Sequence, residues 1–181
     1  MRLFELHVNE ASPDNLEGSM SRDQILSRIW MARKLKDVAH PKHAIVLGSW
    51  YGILPYALKK FKVVDKVAAI DNEPGCLKIS QKLNPSVKHI LNDCNAMDYK
   101  DYDCIINPSV NNIEGSDWYN NIPKGKLCLF QTENIELGNG CPSDLDSMKN
   151  MYPLSKYLYS GTVKSHDKDG DLIRSMVIGI K

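Results

Sequence analysis

AIVLGSWYGILPYALKKF (residues 44–61) decides the fold. It opens on a short, continuous apolar run closed by Gly48. A five-residue loop, Gly48-Ser49-Trp50-Tyr51-Gly52, leads into a helix-like stretch with Pro55 in its first turn, where a proline is tolerated. The next segment repeats the pattern. KVAAID (66–71) is a second apolar run, this time ending in an acid, and PGCLKISQKL (74–83) reads as a helix opened by Pro74. Further on, VKHILND (87–93), YDCIIN (102–107) and KLCLFQ (126–131) are three more strand candidates. Runs that are apolar throughout, rather than alternating, suit parallel strands covered on both faces. Strands that alternate with helices predict an α/β fold.

The flanks complete the picture. SRDQILSRIWMARKLKDV (21–38) is the best helix candidate, with Ser21 as N-cap and Ile25, Leu26, Ile29, Trp30, Ala32, Leu35 and Val38 as its expected apolar face. RLFELHV (2–8) reads as a short strand or docked arm and ASPDN (11–15) as a turn. DSMKNMY (146–152) reads as the end of a last helix. KYLYSGTVKS (156–165) and DLIRSMVIGI (171–180) flank a DKDG loop, and Asp169-Gly170 predicts an antiparallel hairpin. The expected architecture is one domain over 1–181: an arm and helix at 1–40, then a doubly wound core at 43–181 on a seven-stranded, mostly parallel sheet that closes in an antiparallel hairpin.

Composition excludes several classes of function. The chain has 181 residues, enough for one domain with its own core. Its formal net charge is +1. A dedicated nucleic-acid binder relies on phosphate neutralisation, so that class is disfavoured. The five cysteines, Cys76, Cys94, Cys104, Cys128 and Cys141, are odd in number and lack paired spacing. This argues against a disulfide framework or a zinc ribbon. Five scattered histidines add no ligand spacing. With no signal-like stretch and no apolar run near the ~18 residues of a membrane span, the expectation is a soluble cytoplasmic protein with reduced thiols.

In doubly wound sheets, ligands bind outside the carboxyl ends of the strands. Gly48 and Gly52 bracket a loop that allows close backbone approach, although an ordinary strand-to-helix turn has the same look. Asp71 ends the second strand, where a carboxylate can accept hydrogen bonds from ribose hydroxyls; it could also cap the helix at Pro74. Loop and acid together point to an adenosine-containing ligand. A dinucleotide fingerprint needs a glycine two residues after the first, and here that position is Trp50. No Gly-Lys-Ser/Thr follows, so a Walker loop is absent. A nucleoside without phosphates fits better.

Gly48 to Gly52, Asp71, Asn92-Asp93-Cys94-Asn95-Ala96-Met97-Asp98 and Asp103-Cys104-Ile105-Ile106-Asn107-Pro108 resemble, in order, the Rossmann-like class of S-adenosylmethionine-dependent methyltransferases. VLGSWYGILP and WYNNIPKGKLCLFQTEN look most like small methyltransferase-like proteins of bacteriophage type. The resemblance spans 43–181 and implies S-adenosylmethionine as cofactor. It implies cofactor contacts at Gly48, Ser49, Trp50, Tyr51, Gly52, Asp71, Asn72, Asp93, Cys94, Asn95 and Ala96, with either Asp93 or Asn95 at the adenine edge. Two positions depart from the family pattern: Val46 replaces an acid, and Trp50 the middle glycine.

Asn107-Pro108-Ser109-Val110 partly resembles the Asn-Pro-Pro-aromatic element of amino-group methyltransferases, which makes Asn107 the candidate catalytic residue, positioning a substrate amine or touching the cofactor. Val110 cannot stack on a base, so a DNA adenine methylase is disfavoured. Glu133 and Asn134, after the fifth strand, are candidates for substrate contact. Trp118, Tyr119 and Trp30 are read first as core. The implied reaction is transfer of a sulfonium methyl to an unidentified acceptor, a small molecule being favoured. A non-catalytic binding module of the same fold and, third, a nicotinamide-dependent oxidoreductase are the alternatives.

Overall fold

The computed structural model describes residues 18–134, 140–167 and 170–181. The arm and turn expected at 2–8 and 11–15, and the turn residues Lys168 and Asp169, lie outside the described residues. Seven strands form one sheet: β1 (His43–Val46), β2 (Lys66–Asp71), β3 (Lys88–Leu91), β4 (Cys104–Asn107), β5 (Leu127–Glu133), β6 (Lys156–Asp167) and β7 (Gly170–Ile180). Their order is β3-β2-β1-β4-β5-β7-β6. β1 to β5 pair in parallel, and β7 lies antiparallel between β5 and β6. The expected seven-stranded, mostly parallel sheet, closing hairpin included, is the one found.

The continuous apolar runs are explained by two buried faces. Ala44, Val46, Val67, Ala69, Cys104, Ile106, Leu127, Leu129, Met176 and Ile178 point into one core layer. Their neighbours Ile45, Ala68, Ile70, Ile105, Cys128, Phe130 and Val177 point into the other. Period-2 alternation is present, but both sides are apolar, so hydropathy shows no alternation.

The first layer is covered by α1 (Arg22–Val38) and α2 (Ile53–Lys60). α1 begins as expected, with the Ser21 hydroxyl accepting from Gln24 N–H at 3.3 Å. Its buried face differs. Ser27, Arg28, Met31, Ala32 and Leu35 are buried, whereas Leu26 is 52% exposed. Trp30 is half-buried and sets its ring edge-on to Tyr159. The helix is rotated because its first turns face polar partners: Ser27 and Gln131 exchange hydrogen bonds, and Arg28 donates to Pro108 O.

The second layer holds Tyr99, Tyr102, α4 (Asp117–Asn120) and α5 (Leu145–Met151). Trp118 is fully buried there, packed on Phe130 and Tyr152, and Tyr119 packs beside it. Both belong to the core. α3 (Pro74–Leu83) starts at Pro74, but its N-cap is Glu73, which accepts from Gly75 N–H; Asp71 does not cap it.

After β1 the chain order reverses, with β2 on one side and β4 on the other. Leu47 N–H donates to Ile106 O of β4, and Ser49 N–H donates to Ile70 O of β2. The glycine loop therefore straddles the switch point. Gly52 closes it at φ +82°, and its carbonyl accepts from Asn84 Nδ2 at 3.0 Å. A Cβ here would sit 2.2 Å from Ser80 Oγ and 2.6 Å from Asn84 Nδ2. Gly52→Ala should lower stability by at least about 1–3 kcal/mol, the cost of a strained backbone position, read as an earlier urea midpoint. An unchanged midpoint would contradict this loop geometry.

Candidate functional site

A cleft of about 600 Å³ opens at the carboxyl ends of β1, β2, β3, β4 and β5. That volume lies in the range of small-molecule sites, roughly 300–1,000 Å³. Of the eleven cofactor contacts expected from sequence, Gly48, Ser49, Trp50, Tyr51, Asp71, Asn72, Asp93, Cys94 and Asn95 line it, as does Asn107. Gly52 and Ala96 do not. Gly52 caps α2, and Ala96 ends the short 3-10 turn Cys94–Ala96.

The loop is held by its backbone. Gly48 has φ +51°, and so does Trp50. A left-handed conformation costs a non-glycine residue ~1–2 kcal/mol. In this conformation Trp50 N–H donates to Asp71 Oδ2 at 2.7 Å. Glu73 N–H donates to Asp71 Oδ1 at 3.0 Å. The carboxylate is thus clamped by two backbone donors, and each oxygen keeps lone-pair capacity toward the cleft. The Trp50 indole is half-buried against Met20 and Tyr51. It forms a wall of the cleft.

After β3, the Asp93 carboxylate accepts from Asn95 N–H and Asn95 Nδ2, all through Oδ1. Asn95 is fully engaged. Its Oδ1 accepts from Trp118 N–H, and Nδ2 also donates to Glu114 O. Asn95 is a clamp between the turn after β3 and the segment leading to α4. Cys94 beside it has a thiol pushed up to about 11 by burial and by the charge of Asp93. Cys76 is likewise raised to about 11 by burial and by Asp71. Neither is a thiolate at neutral pH.

After β4, Asn107 is fully buried. Its Oδ1 accepts from Ser109 N–H at 3.1 Å, which fixes the amide's orientation, and its Nδ2 has no partner among the described residues. The open group is a donor, suited to a carbonyl or carboxylate; the sequence left two roles for this side chain, positioning a substrate amine or touching the cofactor. Ser49 Oγ, in the glycine loop, is also buried without a partner among the described residues.

The end of the cleft toward α1 carries charge. Arg28 is 8% exposed and lines the cleft, donating through Nη1 to Pro108 O at 3.1 Å. Burial lowers its guanidinium to about 10, Glu133 opposes that shift, Arg174 adds to it and Asp23 opposes it. Arg174 donates through Nε to Glu133 Oε1 at 2.9 Å and through Nη1 to Asp23. Glu133 also lines the cleft. Asn134 does not: it bonds to the backbone of Ile173 and Asp171. Arg28 and Gln24 are cleft residues that the sequence analysis missed. The signal was the i, i+3, i+4, i+7 series Arg28, Met31, Ala32, Leu35, which places Arg28 on an apolar stripe. Among the described residues no group of acids, histidines and cysteines could hold a metal, and no helix is long and apolar enough to cross a membrane.

Several solved structures with this fold are methyltransferases. The chain is similar to the N-methyltransferase NodS from Bradyrhizobium japonicum WM9, solved with S-adenosylhomocysteine, at a TM-score of 0.73, 10% identity and 93% coverage of both chains. It is similar to magnesium protoporphyrin IX methyltransferase from Synechocystis PCC 6803 with bound S-adenosylmethionine, at 0.63 and 9%, covering 92% of this chain and 82% of that one. Coclaurine N-methyltransferase bound to N-methylheliamine and S-adenosylhomocysteine gives 0.61 and 11%, with 87% and 73% covered. No protein-family model matches the sequence, and no curated protein matches it. At these identities the likeness is one of fold: the chain has the Rossmann-like fold of the methyltransferases.

Asn95→Ala removes the Trp118, Glu114 and Asp93 contacts together. It should cost roughly 0.5–1.5 kcal/mol, the net worth of a hydrogen bond that water can partly replace, and speed hydrogen exchange at Trp118 N–H. Unaltered exchange there would show that Asn95 is not the clamp.

Proposed function

We propose that this protein is an S-adenosylmethionine-dependent methyltransferase acting on a small-molecule acceptor. The observation that carries the reading is Asp71: a carboxylate at the switch point, clamped by Trp50 N–H and Glu73 N–H, with lone pairs left for a ligand. Vicinal ribose hydroxyls are donors of matching geometry. Asp93 is assigned to the adenine edge in preference to Asn95, because the Asn95 amide is already engaged on both sides while Asp93 Oδ2 is not. Gly48 and Trp50 carry the loop past the nucleoside, and Ser49 Oγ is a buried polar atom awaiting the polar arm beyond the ribose. Asn72 and Cys94 complete the wall.

S-adenosylmethionine supplies a methyl on a sulfonium, reactive because a neutral thioether departs. The protein's own work is alignment and exclusion of water. Asn107 Nδ2 is a donor for an acceptor atom on whichever ligand lies over β4. The half-buried Trp50 and the lid made by the first turns of α1 keep water from the reacting end. Within this class we liken the chain to small methyltransferase-like proteins of bacteriophage type, and its reduced thiols to those of a cytoplasmic protein.

Calorimetry with S-adenosylhomocysteine tests the assignment. The wild type should bind it and not NAD. Asp71→Ala should keep its fold and lose about tenfold to a hundredfold in affinity, the equivalent of ~1.5–3 kcal/mol for hydrogen bonds to a charged group. Equal affinity in a folded Asp71→Ala protein would reject the ribose role.

A further inference from the structure

The formal net charge of +1 averages over an uneven surface. Asp71, Asp93, Glu114 and Glu133 line the cleft at the carboxyl ends of the strands. At the amino ends of β1 and β2 the chain gathers lysines instead. Lys36 of α1 donates to Phe61 O, just past α2, Lys59 Nζ donates to Asp65 O, and Lys66 N–H donates to Lys42 O. These contacts bring Lys36, Lys42, Lys59, Lys60, Lys62 and Lys66 to one corner of the molecule. A shallow hollow there is lined by His40, Lys59, Lys62, Val64 and Asp65. Two carboxylates share the corner, but Asp37 pairs with Lys34 and Asp65 with His40. None of the six ammonium groups has a carboxylate partner among the described residues, and all but Lys59 are exposed.

Local structure explains part of this set. The carboxyl end of a helix favours a cation, and Lys36 serves that end of α2 at Phe61 O. Lys59 ties the loop before β2 at Asp65 O. The ammonium groups of Lys42, Lys60, Lys62 and Lys66 have no such bond among the described residues. Lys62 also lies just past α2 at φ +52°, where glycine is the usual residue and a side chain is disfavoured. Its charge is kept against that preference. Tyr56 stands beside these lysines. It is 38% exposed, and Lys59 and Lys60 follow it on the same face of α2.

Unpaired lysines attract phosphates, and an exposed aromatic ring among them is a stacking surface for a base. A membrane surface would ask for aliphatic anchors beside the lysines. Among the described residues, Tyr56 is the one large hydrophobic side chain exposed in this corner. β2 spans six residues at ~3.3 Å each, so ~20 Å separates its first residue, Lys66, from Asp71 in the cleft. We propose that this corner binds single-stranded nucleic acid, with backbone phosphates on the lysines and a base on Tyr56, while the cleft stays free for its own ligand.

The test is fluorescence anisotropy of a labelled oligothymidylate titrated with the full chain. At about 0.1 M salt the dissociation constant should lie at roughly 10⁻⁶–10⁻⁴ M, and log K should fall against log salt with a slope of about −3, as for four or five phosphate contacts on a single strand. Each such contact is then worth about fivefold at 0.1 M salt. Lys62→Gly, which relieves the backbone, should unfold no earlier than the wild type and bind about fivefold more weakly. Lys60→Glu combined with Lys62→Glu should weaken binding about tenfold or more, and Tyr56→Ala about fivefold or more, the loss of one stacked base. The same charge reversal at Lys149 and Lys164, toward the β6 edge, should have less than about a threefold effect. The inference is overturned if the oligonucleotide does not bind, if the Lys149 and Lys164 reversal weakens it as much as the Lys60 and Lys62 reversal, or if Tyr56→Ala binds like the wild type. It also falls if a duplex of equal length binds more tightly, or if phosphatidylserine vesicles bind and the oligonucleotide does not. Displacement of the oligonucleotide by S-adenosylhomocysteine would put the strand in the cleft and overturn the inference as well. Oligonucleotide binding needs no cofactor, so it stands even if the methyltransferase reading fails.

Discussion

The hydrogen bond from Trp50 N–H to the Asp71 carboxylate joins the two halves of the switch point. It demands that Trp50 adopt φ +51°, against the preference of any residue with a side chain. The surrounding sheet enforces it: Leu47 N–H is fixed to β4 and Ser49 N–H to β2, so the loop has little choice of path. A charge-assisted bond of 2.7 Å, with the packing of the indole on Met20 and Tyr51, offsets the backbone strain. The position that is glycine in the family this chain resembles thus keeps a glycine-like backbone while carrying an aromatic wall.

α1 obeys a second constraint. A helix that only covered a core would bury Ile25, Leu26, Ile29 and Trp30. This one buries Ser27 and Arg28 in their place. Ser27 reaches Gln131 of β5, Arg28 reaches Pro108 after β4, and Asp23 reaches Arg174 of β7. Toward its C-terminal end, Met31, Ala32 and Leu35 return to ordinary packing. The helix is anchored by apolar contact at one end and closes the cleft with polar groups at the other. Core packing and the lining of the cleft therefore share one element.

These two features mark the limit of what the sequence alone reveals. β2 and α3 were legible to the residue, because KVAAID and PGCLKISQKL carry clear punctuation. The hairpin was legible from its two strand-like tails, and Asp71 and the glycine loop from their place at strand ends. Asn95 and Asp93 were not separable, since the choice depends on Trp118 and Glu114, about twenty residues further along. The donor character of Asn107 was hidden, because only the Ser109 bond fixes the amide. Arg28 was hidden by its charge: hydropathy sends an arginine to the surface, and only its three-dimensional partners bring it inside. Local signals marked Asp71 and the glycine loop, and long-range polar pairing brought Arg28 and Glu133 to the other end of the cleft.

A crystal structure with S-adenosylhomocysteine bound tests the central claim most directly. The ribose hydroxyls should lie on the Asp71 carboxylate within hydrogen-bond distance, the adenine beside Asp93, and the thioether over β1 and β4. A ribose held by another group, or an Asp71 carboxylate that touches no ligand atom, would contradict it.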